Sequence, residues 1–335
     1  MMAVVAQPSV QGKVLVTGAS GFIGSRLRAA LSAGGAEVVA LRRSGSPAAT
    51  SGAAVTADYD DLDALRAAVR DVEPDYVFHV AGVTKGVSYE DFQRGNVMPT
   101  ANLIDAVRDV RPGLRRFVMA SSLAAFGPAM NGCPVCEDDD PHPVEHYGQS
   151  KLEAEQALRQ RAGGVPWTIL RPSAVYGPGD VDFFNLFKSA AKGINVFFGN
   201  QARTFSCIYV DDCVRAFLTA ATADEARGKG YFLADGAPLT WEAFQAQVVR
   251  ATRGKAFTLN LPEALVSVAA AAGELVTKVD HKPRLLNRQK AIMGAQDAWT
   301  CACDAAREDF GFEAEMPLED GVRRTAEWYR KNGWL

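Results

Sequence analysis

Tyr147-Gly148-Gln149-Ser150-Lys151 sets a phenol and an ammonium four residues apart, a spacing found once in the chain. On a helix, residues four apart share one face, so both groups reach the same space. A free phenol has a pKa of about 10, too high for efficient acid–base work at neutral pH. An ammonium one turn away favours the phenolate and is expected to lower that value. A hydroxyl must then hold the oxygen of a reacting alcohol or carbonyl. Ser121-Ser122, directly after the apolar run Arg116–Ala120, supply that group.

A second signal lies near the N-terminus. Val14-Leu15-Val16-Thr17 runs into Gly18-Ala19-Ser20-Gly21-Phe22-Ile23-Gly24. Gly18 permits a tight turn, Gly21 lets the backbone approach a pyrophosphate, and Gly24 lets helix and strand pack closely. The helix that follows aims free N–H groups and its positive end at phosphates. A dinucleotide is the implied ligand. The end of the second strand, where a carboxylate usually accepts from the ribose 2'-hydroxyl, reads Leu41-Arg42-Arg43-Ser44. Arg42 there suits a 2'-phosphate, with Ser44 able to donate a further bond, so NADP is expected, with NAD as the alternative. Asp58 follows the third strand and is placed either to accept from the adenine amino group or to start the next helix.

These groups need a frame. Residues 13 to 175 alternate short apolar runs with helical periodicity, the pattern of a doubly wound parallel sheet in an α/β, Rossmann-type fold. Strands are expected at Lys13–Thr17, Glu37–Leu41, Val55–Ala57, Tyr76–Val80, Arg116–Ala120 and Trp167–Leu170. Helices are expected at Phe22–Ser32, Leu62–Arg70, Ala101–Val110 and Tyr147–Arg161. Residues 1–12 read as a loose tail. After Gly177-Pro178-Gly179 the texture changes, and 176–335 reads as a smaller, mostly helical substrate-binding region, with some strands and helices expected to return to the Rossmann domain.

With 335 residues, 48% hydrophobic and 22% charged, the composition is that of a soluble globular protein. The net charge of -3, without a block of basic residues, gives nucleic acid or an anionic membrane no electrostatic footprint. Met1 to Gly12 lacks the charged start of a secretory signal. Ala264–Gly273 is too short to span a bilayer and reads as a buried or amphipathic helix. The pairs Cys133/Cys136 and Cys301/Cys303 lack a second half for zinc, so free thiols in a cytoplasmic protein, with no metal, are expected.

The ordered motifs together resemble the extended branch of the short-chain dehydrogenase/reductase superfamily. They are Thr17–Gly24, His79-Val80-Ala81-Gly82, Ser121-Ser122, Tyr147–Lys151 and Arg171-Pro172-Ser173-Ala174-Val175-Tyr176-Gly177-Pro178-Gly179. By that resemblance Tyr147 is the general acid/base, Lys151 tunes it and holds the nicotinamide ribose, and Ser122 orients the reacting oxygen. Ser122 is chosen over Ser121 because it lies four residues before Phe126-Gly127. Ala81, Pro172 and Val175 would line the cofactor. His79 is expected to be structural, and Asn96 to support the helix beneath the site. Lys85 and Phe183 are placed near the substrate. Dimerisation through the helices near 100–110 and 147–161 is a family expectation.

Two branches of the family compete. Nucleotide-sugar epimerases and dehydratases carry an arginine before an element like Tyr209-Val210-Asp211-Asp212. The matching position is Phe205, and Arg203 lies two residues earlier on the same strand face. The other branch, 3β-hydroxysteroid dehydrogenases and ketoreductases, is echoed in Lys282–Asn287, Trp299 and Glu327–Arg330. The preferred reading is an alcohol/ketone oxidoreductase acting on an apolar substrate. A non-catalytic sensor or scaffold on this fold is expected to have lost the Tyr/Lys pair, which this chain keeps.

Overall fold

The computed structural model describes residues 10–46, 52–263 and 288–335. Most of the expected tail, the Ala264–Gly273 segment and the Lys282–Asn287 echo lie outside the described residues. The strands of the first half are β1 (Lys13–Thr17), β2 (Glu37–Arg42), β3 (Ala53–Thr56), β4 (Tyr76–His79), β5 (Arg116–Ala120) and β6 (Trp167–Pro172). The helices are α1 (Phe22–Ala33), α2 (Leu62–Val72), α3 (Tyr89–Phe92), α4 (Met98–Val110) and α5 (His146–Arg161).

All strand pairs in the main sheet are parallel, in the order Lys229–Leu233, β6, β5, β4, β1, β2, β3. Strand order reverses at β1, so a crevice opens beyond the carboxyl ends of β1 and β4, where ligands bind in such sheets. Both faces are covered. Leu27 and Leu31 of α1 join Val214 and Phe217 of the helix Val210–Thr222 on one side. Leu65 and Val69 of α2, Leu103 and Val107 of α4 and Leu158 of α5 cover the other. From the second half, Lys229–Leu233 and Val210–Thr222 return to the first-half sheet. The rest of it packs the helices Phe184–Ala191, Trp241–Thr252 and Leu318–Lys331 around Phe187, Phe205, Phe244 and Tyr329.

One departure from the expected elements bears on the site. The helix expected from Ala101 begins earlier, and a π-helical stretch, Gln93–Val97, joins α3 to α4. Pro99 follows directly on this stretch, at the start of α4.

A buried ion pair fastens α5 to the sheet. Arg171, on β6, donates through Nε and Nη2 to the two oxygens of Glu155, each at 2.9 Å. The side chains are 2% and 0% exposed. The guanidinium also lies 4.4 Å from the ring centre of Phe126 and 5.2 Å from that of Phe232. Glu155 also accepts from Arg159 at 3.2 Å, so it keeps a partner when Arg171 is lost, whereas removing Glu155 strands the buried guanidinium, which costs about 3–5 kcal/mol. Glu155→Leu should therefore lower unfolding free energy in urea by about that amount, and Arg171→Met/Glu155→Leu should recover most of it. A single-variant loss within ~0.5 kcal/mol, the scale of ordinary surface substitutions, would contradict the pair's structural role.

Candidate active site

The phosphate loop is shaped by close approaches. Gly18 has a φ of +65°, and a Cβ there would stand 2.7 Å from the Ala81 nitrogen across the crevice. A Cβ on Gly24 would overlap the Gly18 carbonyl, so only glycine lets α1 start this close to the turn. Gly21 is the N-cap of α1, with no side-chain cap and no acidic residue in the first turn. The first-turn N–H groups, Phe22 and Ile23 among them, thus face the crevice without a carboxylate competing for them. A cleft of about 430 Å³ lies at this helix start, bounded by Ser20, Phe22, Arg26, Pro178, Gly179 and Trp328.

Beneath the crevice runs a polar relay that the sequence reading did not assemble. The Thr100 hydroxyl donates to the Asn96 carbonyl at 2.8 Å, so it accepts from His79 Nε2–H at 3.0 Å. His79 Nδ1 is therefore the acceptor for Thr17 Oγ1 at 2.9 Å, and Thr17 in turn accepts from the Ala81 N–H at 3.0 Å. Burial, with the Lys151 charge nearby, holds His79 down to about 3, so it is neutral and structural. Asn96 accepts from the Val83 N–H at 2.8 Å and donates to Ser150 Oγ at 2.8 Å. It joins the loop after β4 to α5, as the expected supporting role requires.

α5 brings Tyr147 and Lys151 to the end of β5. Glu145 caps this helix, accepting from the N–H groups of Tyr147 at 2.7 Å and Gly148 at 2.6 Å. Any Cβ at Gly148 would overlap the Ala124 carbonyl, so glycine sets how near α5 lies to the turn after Ser122. The Ser122 hydroxyl lies next to the Tyr147 phenol. Burial nevertheless pushes the phenol up to about 12, with Ser122 opposing and the Glu145 and Asp182 carboxylates adding to the rise. Lys151 Nζ turns to the Ala120 carbonyl, 2.6 Å away, and burial brings the amine down to about 8.

The other expected residues divide. Pro172 ends β6 and Val175 lies in the short strand Ala174–Tyr176, both at the carboxyl edge. Lys85 pairs with Asp182 at 3.3 Å, within reach of the Tyr147 neighbourhood, and Asp182 is a site neighbour the sequence did not mark. Phe183 instead packs in the second-half core, 5.1 Å from the Phe244 ring. Arg203 is held by both oxygens of Glu263, at 3.2 and 3.1 Å, and by the Gly294 carbonyl at 2.9 Å. Phe205 stacks on Trp241 at 4.2 Å, so an aromatic core fills the place where the nucleotide-sugar branch carries its arginine. Arg42 donates to the Ser46 carbonyl at 2.6 Å, while Arg43 is exposed. Asp58 accepts from the Ser44 N–H at 2.8 Å, and Ser44's bonds hold its carboxyl below the usual range. Ser44 and Asp58 thus tie the loop after β2 to the loop after β3.

Residues 14–233 match the NAD dependent epimerase/dehydratase family. The chain belongs to that family. A ceramide reductase of Caulobacter vibrioides is 28% identical over 335 residues, covering 97% of this chain and 96% of its own. A 3 beta-hydroxysteroid dehydrogenase/Delta 5-->4-isomerase of Mycobacterium tuberculosis is 31% identical over 263 residues, 72% of this chain and 69% of its own. The fold matches that of Thermotoga maritima UDP-glucose 4-epimerase, crystallised with UDP-glucose. The TM-score is 0.79 at 22% identity, with 96% of this chain and 99% of the epimerase covered. This member of the epimerase/dehydratase family is therefore an NAD(P)-dependent enzyme of the extended short-chain dehydrogenase type. Among the described residues, no helix is long and apolar enough to cross a membrane.

Lys151 gives the site a stability signature. Its amine titrates near 10.5 when unfolded and near 8 when folded. Below pH 8 both states are charged and the full burial penalty applies. Between those values the unfolded chain binds more protons, so native stability gains with rising pH. Lys151→Met should lack that gain when urea unfolding of both proteins is compared across the window. Parallel pH curves for the two would contradict the buried amine.

Proposed function

We propose that this family member interconverts a secondary alcohol and a ketone on an apolar substrate, with Tyr147, Ser122 and Lys151 as its catalytic residues. The observation that carries this reading is the juxtaposition of Ser122, just after β5, with Tyr147 on α5 at the carboxyl edge of the sheet, with the Lys151 ammonium one helical turn away. A bound nicotinamide supplies or accepts the hydride. The glycine loop, Ala81 and the α1 N-terminus suit its diphosphate, since their steric cradle admits no side chain. Pro172 and Val175 would close over the cofactor from the opposite strands.

Within the protein the proton has one path. A phenol held near 12 keeps its proton, so Tyr147 is set to donate to a carbonyl oxygen as that oxygen gains negative charge. In the reverse direction it takes the proton back. Ser122, beside the phenol, holds the same substrate oxygen. Lys151 commits one N–H to Ala120 and keeps two for ribose hydroxyls. The ceramide reductase and the steroid dehydrogenase among the relatives support an apolar substrate. The engagement of Arg203 by Glu263, with Phe205 in a core, weighs against a nucleotide sugar.

Tyr147→Phe should lower turnover of long-chain ketones by about two to four decades while leaving cofactor affinity nearly unchanged. Nicotinamide absorbance reads the first and calorimetry the second. Near-native turnover in this variant would remove the assignment. Substrate inversion without net absorbance change in the native enzyme would favour epimerisation instead.

For the cofactor, the proposal is NADP. No carboxylate follows β2 to accept a 2'-hydroxyl, and Arg42 and Arg43 stand there as cations. A charge-assisted contact favours NADPH by about 1.5–3 kcal/mol, the lower end applying near solvent. Arg42→Asp should reverse the preference, measured as the ratio of dissociation constants at low salt. Equal or tighter binding of NADH by the native protein would overturn this choice.

A further inference from the structure

Of the seven large apolar residues exposed among the described residues, four lie on a single two-stranded parallel ribbon, Ile194–Phe198 against Phe257–Leu261. The register pairs Ile194 with Phe257, Val196 with Leu259 and Phe198 with Leu261. Paired residues in a parallel ladder share a face, and side chains alternate along each strand, so these six form one apolar face. It points outward: Phe257 is 70% exposed, Phe198 50%, Ile194 42% and Leu259 38%. Phe197, on the opposite face, is only 5% exposed and packs inward.

Cations gather at one end of this face. The two segments that build it, 188–198 and 250–261, contain Lys188, Lys192, Arg250, Arg253 and Lys255 and no carboxylate. The Phe257 N–H donates to the Gly193 carbonyl at 2.8 Å, and the Arg253 guanidinium lies against Gly193. Lys192, Arg253 and Lys255 are thereby brought to the Ile194/Phe257 end, all exposed. Among the described residues, Glu319 of another element meets Arg250 at 3.8 Å, and Glu263 is engaged by Arg203. The sequence has no basic block, because the pairing of two segments some sixty residues apart is what assembles this one.

We propose that the ribbon docks the protein on an anionic lipid bilayer, with the apolar face at the acyl boundary and the basic end among the headgroups. An apolar outer face beside a one-sided basic rim is the complement of such a surface. The placement also serves the cleft. The helix Phe184–Ala191, about 12 Å long at its ordinary rise, is the link between Asp182-Phe183 and the ribbon. A substrate held in the bilayer would thus meet the site from this side, a clause that rests on the apolar-substrate reading.

Flotation of the full chain with vesicles tests the docking directly. With equal parts phosphatidylcholine and phosphatidylglycerol at low salt, the bound fraction should exceed that with phosphatidylcholine alone by about tenfold and fall as salt rises. Lys255→Glu should weaken binding roughly fivefold or more, the equivalent of ~1 kcal/mol per basic residue at such a surface. Phe257→Ser should weaken it about tenfold or more, as expected for one large apolar side chain withdrawn from the acyl boundary. Thermal melts of both variants check that the fold is kept. No flotation, or equal flotation with both lipids, overturns the proposal. So does light scattering that shows Phe257→Ser splitting a dimer while the native chain ignores vesicles, because the face then serves a second copy. Vesicle binding without ketone turnover would remove the apolar-substrate reading alone, and turnover without vesicle binding would remove the docking alone.

Discussion

The contact between Lys151 Nζ and the Ala120 carbonyl lies inside the protein, and the geometry of the site follows from it. To make it, the start of α5 must press against the turn after β5. Gly148 allows this by presenting no side chain to Ala124, and Glu145 fixes where the helix begins. Tyr147 is thereby brought beside the Ser122 hydroxyl. Burial disfavours the charged form of each group, so it moves the amine down and the phenol up. The same packing that brings the pair together keeps the phenol protonated.

Support for that packing comes from groups that do no chemistry themselves. His79 is neutral and bridges β1 to α4 through Thr17 and Thr100. Asn96 sits on the π-helical stretch, where the widened turn carries its amide to both the loop at Val83 and Ser150 of α5. Local departures from α geometry of this sort are commonly found where a helix serves a site. Each link is a neutral hydrogen bond in a buried setting, so losing one partner leaves the other unsatisfied, and that penalty holds the arrangement to one geometry.

The glycine loop, the Tyr147/Lys151 spacing and most elements of the main sheet could be read from the sequence because each depends on residues close together in the chain. Lys13–Thr17 and Arg116–Ala120 coincide with the strands observed, and α2 and α5 differ from expectation only at their ends. What could not be read depends on distant partners. Nothing local assigns Arg203 to Glu263, sixty residues on, or Ser44 to Asp58. The turn of the Lys151 amine towards the Ala120 carbonyl is likewise invisible to spacing. Gln93–Val97 has no periodic signature, since a single wide turn is shorter than the window that reveals one.

The ion pair between Arg171 and Glu155 has a consequence for how the chain is made. Glu155 and Arg171 are synthesised close together, but the Phe232 ring that covers the guanidinium belongs to the edge strand, 61 residues after Arg171. At about 5–20 residues per second, a ribosome leaves that arginine without its second aromatic cover for roughly 3–12 s. During that interval the sheet ends at β6, with one unpaired edge and a charge in its floor. The first half of the chain emerges in order, yet its sheet is completed only by a strand from the second half.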